Sequence, residues 1–188
     1  MRWGRARIGV VLTCVALLRA VNLGSRDSLA MADLRAVVDA VGGRGVRTYL
    51  RSGNVVFSTA RDDPRVVARE VRERLVAELG LDTPVVVRTA AEMAAVAGGH
   101  PFDGQEDDPA KLHVAFLAAE PVSELVLPAG SPEGAVVRGR EVYLHYPDGA
   151  GRSKVTAAYL QRCLGVELTA RNWRTVTALA EMARDTGE

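Results

Sequence analysis

Apolar side chains recur along this chain with two periods, and the places where the period switches outline its elements. Residues 8–18 form an unbroken apolar run closed by Arg19, the pattern of a strand buried on both faces. Leu34, Val37, Val38 and Val41 follow at i, i+3, i+4, i+7, which predicts an amphipathic helix stopped by Gly42 and Gly43. Val46, Thr48 and Leu50 then alternate with Arg47, Tyr49 and Arg51, and Ser52-Gly53-Asn54 turns the chain into residues 55–58, a β-hairpin in which Gly53 and Asn54 supply positive φ. Asp63 as N-cap and Pro64 at the first helical position open a second helix. It carries Val67, Val71, Leu75 and Leu79 on one side until Gly80, and Val85, Val86 and Val87 supply a fourth strand.

The same order then starts again. Thr89 and Glu92 form a capping box on a short helix, and residues 98–109, with three glycines, two prolines and four acids, read as a linker. Leu112, Val114 and Phe116 predict a strand, 121–127 a short helix, and 136–137 with 142–146 a hairpin around Gly139. Ser153 predicts the cap of a helix over 154–164 closed by Gly165, 166–169 a strand, and Val176, Leu179, Ala180 and Ala183 one side of a last helix. Each pass is β-α-β-β-α-β. The expected fold is therefore α+β, two tandem ferredoxin-like βαββαβ units plus a C-terminal helix. Its divisions are an N-terminal extension over 1–10, non-native or disordered; a first unit over 11–88; a helix and acidic linker over 89–110; and a second unit with the C-terminal helix over 111–188.

The basic start, with Arg2, Arg5 and Arg7 ahead of the apolar run, imitates a secretory signal. The run leads into Arg19-Ala20-Val21-Asn22 instead of a small-residue cleavage site and is too short for a bilayer, so the strand is preferred and the first heptad is read as lying upstream of the true start. At 188 residues with 48% hydrophobic content, the chain can bury a core without disulfides or structural metal, and it has two cysteines only. Its net charge of +1 excludes a protein that works by blanketing a polyanion. Residues 1–88 hold 15 arginines against nine acids, +6, while residues 89–188 hold nine bases against 14 acids, −5. Opposite signs help halves dock or steer an anion toward the first.

Few residues carry chemistry that packing does not explain. His100, His113 and His145 lack metal-ligand spacing, Cys14 lies in a buried strand and Cys163 on the apolar side of a helix, so neither a metal site nor a cysteine nucleophile is expected. No cofactor motif is present. The run Gly149-Ala150-Gly151-Arg152-Ser153-Lys154, placed before a helix, is read as an anion cradle, although it lacks the spacing of a phosphate-binding P-loop. Arg171 stands at a strand end with Asn172 as a helix cap; Arg19 and Asn22 leave the first strand, and Ser52 and Asn54 occupy the hairpin turn. Alternation puts His113, Tyr143 and His145 on one open sheet face, a surface on which RNA-recognition modules stack bases, but their aromatic signature is missing.

Several segments together resemble the domain-of-unknown-function family 1697: residues 17–24, Met31-Ala-Asp-Leu34, Tyr49-Leu-Arg-Ser52-Gly53-Asn54-Val55-Val56-Phe57, residues 112–117, Ser153-Lys154 and Thr169-Ala-Arg171-Asn172-Trp173-Arg-Thr175-Val176. The turn and the last segment are the specific ones. The resemblance implies a small cytosolic bacterial protein of two ferredoxin-like units with no agreed activity. The chain departs from the family pattern at Ala20, Arg51 and His100, where glycine, glutamine and asparagine are usual. The resulting functional expectation is a small anionic ligand, phosphorylated ligands included, held between the two units by Arg19, Asn22, Ser52, Asn54, Ser153, Lys154, Arg171 and Asn172. The alternatives are an enzyme using His100 or His145 as general base beside Arg171, and an RNA-binding or dimerising module. A cytoplasmic location, a homodimer, no membrane partner and no resident cofactor complete the reading.

Overall fold

A computed structural model describes residues 11–19, 21, 29–102, 104 and 108–186. The extension over 1–10 and the candidate Asn22 lie outside the described residues. Along the chain run β1 (Leu12–Leu18), α1 (Met31–Ala40), β2 (Arg44–Tyr49), β3 (Asn54–Thr59), α2 (Pro64–Leu79), β4 (Val85–Thr89), α3 (Ala90–Ala97), β5 (Leu112–Leu117), β6 (Gly134–Arg138), β7 (Glu141–His145), α4 (Ala157–Leu164), β8 (Leu168–Asn172) and α5 (Trp173–Arg184). The fold is α+β, with two four-stranded antiparallel sheets in the orders β2-β3-β1-β4 and β6-β7-β5-β8.

Burial follows the strand alternation. Cys14, Ala16, Leu18 and Phe57 meet Leu34 and Val38 of α1 and Val71 and Leu75 of α2. The opposite face of the same sheet, Val15, Leu17, Val56 and Val86, packs on Met93 and Val96 of α3 and Val176 and Leu179 of α5, whose far sides reach Val114, Phe116 and Tyr143 of the second sheet. Ala115, Leu117, Val142 and Leu144 form that sheet's outer face and lie under Leu160 and Leu164 of α4. Two helices are thus sandwiched between the sheets. The unbroken apolar run has its explanation in β1, which is covered from both sides.

Local signals read correctly at most helix ends. Asp63 accepts the Arg65 N–H at 2.8 Å, Thr89 and Glu92 close a reciprocal capping box, and Asn172 accepts the Thr175 N–H at 2.9 Å. Five details differ from expectation. Residues 121–127 form no helix: Val122 N–H donates to Leu164 O at 3.0 Å, and Leu125 and Leu127 turn inward in alternation, as extended chain does. Ser153 does not cap α4, because Thr156 accepts the Tyr159 N–H and the helix starts three residues later than expected. The last strand falls on Leu168–Asn172 instead of 166–169. In the hairpin turn the positive φ values belong to Gly53 (72°) and Leu50 (55°), not to Asn54, which already lies in β3. Finally, Leu112 pairs with His145 and Val114 with Tyr143, so Tyr143 and His145 share the inner face while His113 points to the outer one. That inner face is filled by α3 and α5, which leaves the expected base-stacking surface covered.

Candidate functional site

The seam between the sheets brings together three of the predicted residues. The Arg171 side chain leaves β8 on the side of Val114, its cross-strand neighbour, and enters the seam. Its Nε donates to Asn54 Oδ1 (2.6 Å), Nη1 to Thr169 Oγ1 (2.7 Å) and Ala170 O (2.8 Å), and Nη2 to Leu18 O (2.6 Å) and Ser52 O (3.1 Å). A guanidinium has five N–H donors, and all are used. Asn54, fully buried, is held in turn by donating to Tyr49 O (3.0 Å) and Ser52 Oγ (2.8 Å). No carboxylate is among these partners, and burial pulls the Arg171 pKa down to about 10. Arg171, Asn54 and Ser52 thus convergently tie β8 to the end of β1 and to the β2–β3 turn, and neither the Arg171 guanidinium nor the Asn54 amide has an N–H left over for a ligand.

The remaining predicted residues lie elsewhere. Arg19 donates to Gln161 of α4 in a crevice of about 470 Å³ that also contains Arg162 and Glu167, the latter paired with Arg72 at 2.8 Å. Asn172 caps α5. Ser153 bonds Glu133 and the Val155 N–H, and the Arg152 and Ser153 N–H groups donate to Gly149 O and Ala150 O in a 3₁₀ turn, so the expected cradle has a carboxylate beside it at Ser153. Lys154 beside it is exposed. The histidines gather at the other end of β5. His100 meets Trp173 edge-on at 5.0 Å and stacks on Phe102 at 6.4 Å, and Phe102 lies 5.8 Å from His145. Partial desolvation, then Lys111 and His100, lower the His145 pKa, and burial lowers that of His113, whose Nδ1 has no hydrogen-bond partner among the described residues. Cys14 is buried with its thiol pushed up to about 11, as an inert core thiol should be.

A second feature of the seam was not anticipated. A cleft of about 900 Å³ opens where β3, β4 and β5 end, about twice the volume of the crevice at Arg19. The first sheet's side contributes Asp62, Asp63, Arg65, Thr89 and Glu92, and the second contributes Glu120 and Arg140. The starts of α2 and α3 both open onto it. Arg140 is paired with Glu92 across the seam, and Arg65 with Asp63 at 3.0 Å, which holds the Asp63 carboxyl below the usual range. Beneath lies Arg88, 1% exposed, donating from Nε to Glu141 (2.8 Å) and from Nη2 to Leu117 O (2.7 Å) and Arg140 O (3.1 Å). Burial lowers its pKa and Glu141 partly restores it. Among the described residues no group of three or more His, Cys, Asp or Glu side chains is placed to hold a metal ion, and no helix is long and apolar enough to cross a membrane.

The family model described as a protein of unknown function, DUF1697, matches residues 11–143. The chain belongs to the DUF1697 family. The matched segment includes Arg88, Glu92, Arg140 and Glu141 and stops short of Arg171. No curated protein matches the chain. Among solved structures, a conserved bacterial protein, SP0830 from Streptococcus pneumoniae, superposes with a TM-score of 0.68 at 16% identity, over 93% of this chain and 99% of its own. That likeness shows a shared fold. The DUF1697 description states no activity. The chain's buried arginines differ in how visible they were. Arg171 stood out at a strand end; Arg88 did not, because its carboxylate partner lies 53 positions away, although a charge after three valines was a signal to look for one.

Proposed function

We propose that this DUF1697 protein binds a small ligand in the seam between two ferredoxin-like units, the first a complete βαββαβ and the second lacking its first helix. The strand order of each sheet and the placement of α1, α2 and α4 support the fold description. A single observation carries the functional part: a cleft of about 900 Å³ spans both sheets and is lined by charges of both signs, of which Arg140 with Glu92 and Arg65 with Asp63 are half-exposed or exposed pairs. Such pairs contribute on the order of 0–1 kcal/mol, so a ligand group exchanges for one partner at little cost. The ligand has an anionic group, carboxylate or phosphate, for Arg140 and Arg65 near two helix starts, and an amine for Asp62 and Glu120. It is a small zwitterion more than the plain anion that the sequence suggested. Two unpaired cysteines support a reducing, cytoplasmic setting.

Thermal-shift and calorimetric titration with amino acids, phosphoethanolamine, inorganic phosphate and putrescine test this. Compounds with both charges should stabilise the protein, and Arg140→Gln should abolish the effect. A flat response across the panel, or one that Arg140→Gln leaves intact, refutes it. The histidine-based enzyme reading has less support: His145 starts the hydrogen-bonded pairing at Leu112, about 17 Å along β5 from the cleft end, and Arg171, its intended electrostatic partner, has no N–H to spare.

A further inference from the structure

Two ion pairs line the large cleft, and they differ in what a ligand could take from each. Asp63 and Arg65 lie two residues apart on one side of the seam. Asp63 Oδ1 accepts the Arg65 N–H (2.8 Å) and Nε (3.1 Å), and Oδ2 accepts Nη2 (3.0 Å), so one near neighbour engages both carboxylate oxygens. Arg140 and Glu92 instead meet across the seam, 48 positions apart, through the single contact of Nη2 with Oε1. The other oxygen of Glu92 is held separately: Oε2 accepts the Thr89 N–H at 2.7 Å and the Thr89 hydroxyl at 3.0 Å.

Both partners are anchored, so this pair opens without dismantling the fold. Arg140 O accepts from the Leu117 N–H (2.9 Å) and from Arg88 Nη2 (3.1 Å), which fixes the main chain and leaves the side chain to swing. Glu141, the next carboxylate in the chain, is taken by Arg88 Nε at 2.8 Å, and Glu92 is the one ion-pair partner of Arg140 among the described residues. When Arg140 turns to a ligand anion, Glu92 stays in its capping box with Oε1 open toward the cleft that both residues line. A plain anion then sits beside an uncompensated carboxylate. A ligand with an ammonium next to its anionic group replaces both halves of the pair at once, and charges of opposite sign alternate again. At 25% and 33% exposure, Arg140 and Glu92 are screened less than Asp62 and Glu120, which are exposed.

Resting on the cleft as the binding site, we propose that Glu92 is its specificity-determining residue. The ligand inserts between Arg140 and Glu92, its anionic group on the guanidinium and its ammonium on Glu92 Oε1. Arg88 and Thr89 hold the two partners in place while the contact between them is exchanged. The selected class is a short compound whose ammonium and acidic group lie close enough to bridge one opened ion pair. Plain anions are rejected by the carboxylate that Arg140 leaves behind.

Calorimetric titration of the full chain with two matched pairs of probes tests this: phosphoethanolamine against propyl phosphate, and β-alanine against butyrate. Within a pair the anionic group is shared and an ammonium replaces a methyl, while comparison of the pairs tells a phosphate from a carboxylate site. The parent should prefer the amine-bearing member roughly tenfold in at least one pair, the size of one partly screened charge at close range. Glu92→Gln keeps a residue suited to the capping box; it should bind the amine-free member more tightly than the parent does and lose the preference for the amine. A variant that retains the parent's preference assigns the ammonium to Asp62 and Glu120 and overturns the role of Glu92 while the cleft stands. Parent binding that Arg140→Gln leaves intact removes the cleft and the role together. A parent without preference also overturns the proposal. Should Glu92→Gln fold poorly, nuclear Overhauser contacts in the unaltered protein decide. The methylene beside the ammonium of bound phosphoethanolamine or β-alanine should contact Glu92 Hγ, and contacts to Asp62 and Glu120 alone refute the assignment.

Discussion

Replacing Arg171 with methionine removes a cation whose partners are all neutral oxygens, and the outcome turns on which of two large terms prevails. Without the guanidinium, Asn54 Oδ1 and Ser52 O lose their donor, while Leu18 O keeps only the Thr169 hydroxyl at 3.3 Å. A buried acceptor left unmade costs about 1–3 kcal/mol, so the lost bonds come to about 5 kcal/mol. Against this stands the relief of a buried, unpaired charge. Burial brings the Arg171 pKa down from the ordinary guanidinium range to about 10, which at ~1.4 kcal/mol per pKa step is about 3 kcal/mol. The net expectation is a loss of about 2 kcal/mol, or roughly 4–8 °C in melting temperature for a domain of this size. Arg171→Lys separates the terms: lysine keeps the charge but has three donors instead of five, so it should destabilise at least as much as methionine. Urea unfolding followed by circular dichroism at constant m-value measures both. A methionine variant as stable as the parent, or a lysine variant clearly better than methionine, would show that Arg171 is not the tie between the sheets. Because its folded pKa is depressed, the charge penalty is present at all pH below about 10 and disappears only as pH rises from there toward the ordinary guanidinium range. No slope from Arg171 is expected between pH 6 and pH 9.

Other consequences follow from single residues. His113 binds its proton less readily when folded than when unfolded, so its contribution is full at neutral pH and is lost as pH falls below its ordinary 6.5; His113→Phe should flatten the difference in urea midpoint between pH 7.5 and pH 5. Leu50 is 58% exposed at φ 55°, and Leu50→Asn should raise stability by about 1 kcal/mol by removing left-handed strain, a gain that calorimetry would detect or deny. Gly165→Ala should cost more than the φ of 70° alone, since its new Cβ runs into Val122 Cγ2; a loss of about 2 kcal/mol is expected, and no loss would mean that residues 121–127 yield freely. A thiol reagent at pH 8 should label Cys163 in the folded protein and leave Cys14 untouched until denaturant is added.

Much of the element order was legible because it rests on neighbours in the chain. Asp63 with Arg65, Thr89 with Glu92 and Asn172 with Thr175 are contacts within one turn, and the spacing of Leu34, Val37 and Val38 is a helix face whatever it packs against. Residues 121–127 misled because a short apolar stretch has no period of its own; the bond from Val122 to Leu164 O, across 42 positions, holds it extended. The histidine face was misassigned for a related reason. Which side of β7 meets β5's inner side is set by register, and register is fixed by how the hairpin closes.

For the candidate site, the sequence established that Arg171, Asn54 and Ser52 are polar groups unexplained by local structure. It could not establish that they satisfy one another. Arg171 and Asn54 are 117 positions apart and meet only because β1 is buried on both faces, so that a second sheet must lie behind the first. Short-range patterns and caps are encoded in adjacent residues and survive without tertiary context. The burial of Arg88 and Arg171, the pairing of Arg140 with Glu92 and the cleft above them depend on two sheets docking around α3 and α5, where removal of water makes every donor find an acceptor.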